Sequence, residues 1–99
     1  MSQLDARNIL VAARAKIARP EDWGKGRRNF DRPMETFCAA EAIECCPHSP
    51  ERRRAIRALM NAMGIENEWC SLTGWNDAPE RTHEEVLAAY DLAIATLIR

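Results

Sequence analysis

The stretch Ser49-Pro50-Glu51-Arg52-Arg53-Arg54-Ala55-Ile56-Arg57-Ala58-Leu59-Met60-Asn61-Ala62-Met63-Gly64 carries its own start and stop signals. Ser49 is a favoured N-cap, Pro50 suits the first helical position, and Glu51 places an acid near the positive end of the helix dipole. Ile56, Leu59, Met60 and Met63 recur at helical spacing and form one apolar face, while Arg53, Arg54 and Arg57 fall on the other. Gly64 closes the helix as a C-terminal cap. A self-contained amphipathic helix at the centre of the chain sets the pattern for both flanks.

Towards the C-terminus, residues 65–75 suit one or two helical turns through Ile65, Trp69 and Leu72, ended by Gly74. Trp75-Asn76-Asp77-Ala78-Pro79 reads as turn chemistry. Thr82-His83-Glu84-Glu85 is a capping box, with Thr82 as N-cap and Glu85 three residues later. The last helix carries Val86, Leu87, Tyr90, Ile94 and Leu97 as its stripe, with acids at its start and Arg99 at its end.

Towards the N-terminus, Leu10, Ala13 and Ile17 mark a helix over 4–18, widened by Ile9 and ended by Arg19-Pro20. Ser2 with Asp5 is a weak cap signal for it. Residues 20–32 read as a loop in which Trp23 and Phe30 fold back onto the core. Pro33 is expected to open a further helix with Met34, Phe37, Cys38, Ala42 and Cys45 on its buried side, stopped by Pro47. No segment has a period of two. The expectation is an all-α fold: one compact domain over 1–99, about four main helices and no sheet.

Composition agrees. Of 99 residues, 46% are hydrophobic and 29% charged. Sixteen residues are Ala against nine Val and Ile together, a balance that favours helix over sheet. The longest apolar run, Ile9 to Ala13, is far short of the roughly 20 residues a membrane span needs. The start, Met1-Ser2-Gln3-Leu4-Asp5, lacks the basic and apolar regions of an export signal, so a cytoplasmic location is expected. Four cysteines without such a signal are expected as thiols, and the neighbours Cys45 and Cys46 cannot easily bond each other.

The net charge of −1 is unevenly spread. Residues 1–57 hold twelve Lys and Arg against eight Asp and Glu, and residues 58–99 hold two against seven. Either the two halves draw together within one fold, or the basic half meets an acidic partner.

The segment Trp75-Asn76-Asp77…Arg81-Thr82-His83…Glu85-Val86-Leu87 resembles a family of small bacterial and phage proteins catalogued as a domain of unknown function. Ile17-Ala18-Arg19-Pro20-Glu21-Asp22-Trp23 matches that family's early element. Cys38-Ala39-Ala40-Glu41-Ala42 matches its middle Cys-Ala-x-Gly-Ala in part, and Asp91-Leu92-Ala93-Ile94 its last. Glu41 stands where the family has Gly, a residue that would suggest close helix contact. The resemblance covers most of the chain. It implies an all-helical domain, transfers no established activity, and makes a regulatory or host–phage conflict role conceivable.

Three constellations are candidates for chemistry. Trp75, Asn76, Asp77, Arg81 and His83 form the most polar cluster beside an aromatic. As a binding site, Arg81 would hold an anion and His83 would act at a helix N-terminus. As a structural element, Asn76 and Asp77 shape a turn, Asp77 pairs with Arg81, and Trp75 packs beneath. Cys38, Cys45, Cys46 and His48, with Cys70 and His83 more distant, are suitable zinc ligands, but no Cys-x-x-Cys pair is present. Lys25, Arg27 and Arg28, with Arg53, Arg54 and Arg57, form a basic patch suited to phosphate, though the loop is not a P-loop.

No motif sets a base beside a nucleophile, and no cofactor pattern appears, so an enzyme is not expected. The sequence is expected to encode a small module that binds a macromolecule, most often a protein. Nucleic acid is the alternative partner, and a zinc-binding or catalytic protein is the third class. Homo-oligomers are compatible with all three.

Overall fold

A computed structural model describes residues 2–26, 30, 32–46, 49–65 and 69–97, and the side chains of all these except 2–4 and 69–71. Among these residues five α-helices run in chain order as α1 (Ser2–Lys16), α2 (Ala39–Glu44), α3 (Pro50–Met63), α4 (Trp69–Asp77) and α5 (His83–Thr96), with a 3-10 turn at Pro20–Asp22. Among the described residues there is no sheet, so the architecture is all-α.

α1, α3 and α5 pack against one another, and α2 lies against α1, α3 and α4. Ala6, Leu10, Ala13 and Ile17 meet Ala55, Leu59 and Met60 of α3 and Val86, Ala89, Tyr90 and Ala93 of α5 in the buried core. The many Ala at these positions let backbones approach closely. Burial of each Leu or Ile side chain contributes roughly 1.5–3 kcal/mol. None of the described helices is long and apolar enough to cross a membrane.

The start and stop signals of α3 and the start signal of α5 act as read, while Arg99 lies outside the described residues. The Ser49 hydroxyl accepts the Arg52 N–H at 3.0 Å. Gly64 adopts φ 79°, a left-handed conformation that suits glycine, and the Ile65 N–H closes back on the Met60 carbonyl at 2.9 Å. Thr82 and Glu85 form the full capping box.

The middle of the chain departs from expectation in three ways. The helix expected from Pro33 begins only at Ala39, because Thr36 turns back on Pro33 and Phe37 pairs with Trp23 in an isolated parallel bridge. The N-cap is instead Cys38, in a capping box with Glu41. Met34 and Phe30, expected inside, are 55% and 76% exposed. Finally, α4 runs through Gly74 and ends at Asp77, so Trp75-Asn76-Asp77 is the last turn of a helix and not a loop.

Candidate functional site

The end of α4 meets the N-terminus of α2, the 23–26 loop and the start of α5, and the W-N-D…R-T-H element lies at this junction. Asn76 is its centre and is 0% exposed. Its Oδ1 accepts the Trp23 Nε1–H at 2.6 Å and the Ala39 backbone N–H at 3.0 Å. Its Nδ2 donates to the Gly24 carbonyl at 3.1 Å and to Asp77 Oδ1 at 2.9 Å. Four partners fill the capacity of a carboxamide, so no buried lone pair or proton is left over. The Ala39 N–H is one of the donors that the start of a helix leaves orphaned, and Asn76 satisfies it from another helix.

Asp77 does not pair with Arg81. Its Oδ1 accepts the Gly26 N–H at 3.0 Å as well as the Asn76 amide. Lys25 reaches the same helix end, where Nζ donates to the carbonyls of Ala78 at 2.7 Å and Pro79 at 3.1 Å. A cation here meets the negative end of the α4 dipole. The loop thus lies along the C-terminus of α4, held by Asn76, Asp77 and two free carbonyls.

Arg81 turns the other way. Its Nε donates to the Trp75 carbonyl at 2.8 Å, its guanidinium lies 3.8 Å from the centre of the Trp75 ring, and Nη1 is 3.5 Å from Glu85 Oε1. His83, half-buried, donates from Nε2 to the Ile17 carbonyl at 2.7 Å, just past the end of α1. Its ring lies 5.8 Å from that of Trp23. All five residues of the cluster therefore have partners within the chain.

Arg32 was not singled out by any motif, yet its side chain is only 4% exposed. Nη2 pairs with Glu41 Oε1 at 2.5 Å, Nη1 donates to Thr36 O and Oγ1 at 2.8 and 3.0 Å, and Nε donates to the Gly26 carbonyl at 3.2 Å. Gly24 leaves room for it, since a Cβ there would collide with the Arg32 side chain. Glu41, the counter-ion of this buried cation, also accepts the Cys38 N–H at 3.0 Å. A nearby arginine followed by an acid at the third helical position is the only hint of this in the sequence, and an unmarked one.

Beside this pair lie Cys38 and Tyr90. The Tyr90 hydroxyl donates to the Ala39 carbonyl at 2.6 Å. Burial pushes the Tyr90 phenol well above its ordinary 10.0, with Cys38 and then Cys45 adding to the effect. Burial likewise raises the Cys38 thiol above 9.0. Cys45 is exposed and Cys46 half-buried, and neither is in a disulfide. Among the described residues no three His, Cys, Asp or Glu side chains gather as a metal site. His48 and the side chain of Cys70 lie outside those residues.

The basic patch divides. Lys25 is engaged at the end of α4, Arg27 and Arg28 lie outside the described residues, and Arg53, Arg54 and Arg57 stand exposed on α3. Among the described ion pairs, Arg14–Asp91 at 2.7 Å joins the basic and acidic halves of the chain, whereas those of Arg19, Arg32 and Arg81 are local.

No curated protein and no solved structure matches the chain. A family profile does, over residues 1–96, and the chain accordingly belongs to DUF6197, a family of unknown function.

Proposed function

We propose that this protein is a small helical recognition module that acts by binding another protein, and that the surface of the segment formed by Phe30 and residues 32–35 makes the contact. One observation carries the reading: the segment presents Phe30 and Met34 to solvent at 76% and 55% exposure while its arginine is buried. An ordinary surface loop places its apolar side chains inward and its charges outward. Aromatic residues and Met are enriched at protein interfaces, where they fill pockets on the partner.

The underside of the segment supports the same reading. Arg32 fastens it to Gly26, Thr36 and Glu41. A contact surface held in place before binding loses less conformational entropy when the partner arrives. Pro33 and Glu35, both exposed, flank Met34. In this reading Trp75, Asn76, Asp77, Arg81 and His83 shape the support and do not touch the partner. A regulatory or host–phage role would be exerted through such docking.

The test compares tagged wild-type protein with a Phe30→Ser/Met34→Ser variant as bait in cells that naturally carry it. A partner enriched by the wild type and lost with the variant, at an unchanged melting temperature, is expected. Retention of the same partner by the variant would overturn the reading.

A further inference from the structure

The fold engages most of its described cations. Arg14, Arg19, Arg32 and Arg81 hold carboxylates, and Lys25 and Arg52 hold backbone carbonyls. Arg7 and Lys16 of α1 do not take part in this, nor do Arg53, Arg54 and Arg57, and the last three are grouped on one helix. All three are exposed, and none of their side chains makes an ion pair or hydrogen bond among the described residues. With about 100° of turn per residue, Arg53 and Arg57 lie about 40° apart around α3, and Arg54 and Arg57 about 60°. The three guanidinium groups therefore cover one arc, opposite the buried Ala55 and Leu59.

This placement does nothing for the fold. Arg53 lies at the end of the first turn of α3, towards the positive end of the helix dipole, where cations are disfavoured. The three arginines also repel one another across one turn. Lysine would serve solubility as well. Arginine offers a planar fork of donors that matches phosphate oxygens two at a time.

We propose that the outer face of α3 binds the phosphate backbone of nucleic acid, through Arg53, Arg54 and Arg57 and independently of Phe30 and Met34. Nucleic acid fits better than an acidic protein surface because all three cations are arginine on a bare helix, about 10 Å across, which a major groove admits. The proposal concerns the phosphate contacts alone, which carry no sequence information, so a duplex of mixed sequence tests it.

The experiment measures fluorescence anisotropy of a labelled mixed-sequence DNA duplex of about 20 base pairs as salt is raised from about 50 mM. Three phosphate contacts give a slope of log affinity on log salt of about −2.7. Arg53→Gln/Arg54→Gln/Arg57→Gln is expected to bind at least about tenfold more weakly at the lowest salt and to lose most of the slope. Its melting temperature should be unchanged or raised, since no contact is removed, and Arg57→Gln alone should give a smaller change in the same direction. Phe30→Ser/Met34→Ser should bind the duplex like wild type, which separates this proposal from the protein-binding one. Duplex binding and slope unchanged in the triple variant, or no wild-type binding at about 50 mM salt, would overturn it. Displacement of the duplex by poly-glutamate at equal charge concentration would also overturn it, by assigning the face to acidic protein.

Discussion

The side-chain carbonyl of Asn76, one residue before the end of α4, accepts the backbone N–H of Ala39, the first residue of α2, at 3.0 Å. One helix thus caps another across 37 residues of sequence. Because the same amide holds Trp23, Gly24 and Asp77, the position of α2 and the path of the 23–26 loop depend on one side chain.

Asn76→Ala should therefore be among the most damaging substitutions in the chain. It strands the Trp23 and Ala39 N–H groups and the Gly24 carbonyl, each costing about 1–3 kcal/mol when buried without a partner. A loss of at least about 3 kcal/mol is expected in urea unfolding. A loss under about 1 kcal/mol would mean that water enters and replaces the amide.

Arg32 and Glu41 should behave as a coupled pair. Arg32→Met removes the guanidinium that neutralises Glu41 and fastens Thr36 and Gly26, and a cost of about 3 kcal/mol is expected. Glu41→Gln keeps an acceptor for the Cys38 N–H but removes the charge. The double variant should cost clearly less than the two singles together in a thermodynamic cycle, and simple additivity would contradict a direct pair. Gly24→Ala should also destabilise, by displacing Arg32, although Gly24 itself makes no side-chain contact.

At the start of α5, Thr82→Ala should cost about 1 kcal/mol for the lost cap. Trp75→Ala should cost about 2–3 kcal/mol, because the ring is half-buried and not fully enclosed. Arg81→Ala removes both the contact over the Trp75 ring and the bond to its carbonyl. It should lower the melting temperature when Trp75 is present and much less when Trp75 is already Ala.

Stability should fall in alkali. Tyr90 and Cys38 both have pKa values raised in the folded state above their ordinary 10.0 and 9.0. The unfolded chain then releases protons first, so stability is complete below about pH 9 and is lost as pH rises through the folded values. Tyr90→Phe should cost about 1 kcal/mol at neutral pH for the lost bond to Ala39 and should reduce the alkaline loss. Equal pH dependence in wild type and Tyr90→Phe would remove Tyr90 from this account. Timed alkylation should modify the exposed Cys45 well before the buried Cys38.

The sequence by itself determined those elements whose signals are local. Ser49, Pro50 and Gly64 delimit α3, and Thr82 with Glu85 opens α5, because caps and helix-breaking residues act within one turn of backbone. Ile56, Leu59 and Met60 face inward as their spacing requires. Only the tertiary structure decided the middle. Pro33 and the apolar Met34 and Phe37 read as a helix face, but Phe37 found a backbone partner beside Trp23 and Arg32 drew Thr36 into a turn. Asn76 and Asp77 have turn chemistry when taken alone, and their side chains instead bond segments about 50 residues away, which leaves α4 free to run on to Asp77. Polar side chains of this kind go to whichever donor or acceptor is left unsatisfied nearby, and which one that is depends on how distant segments pack.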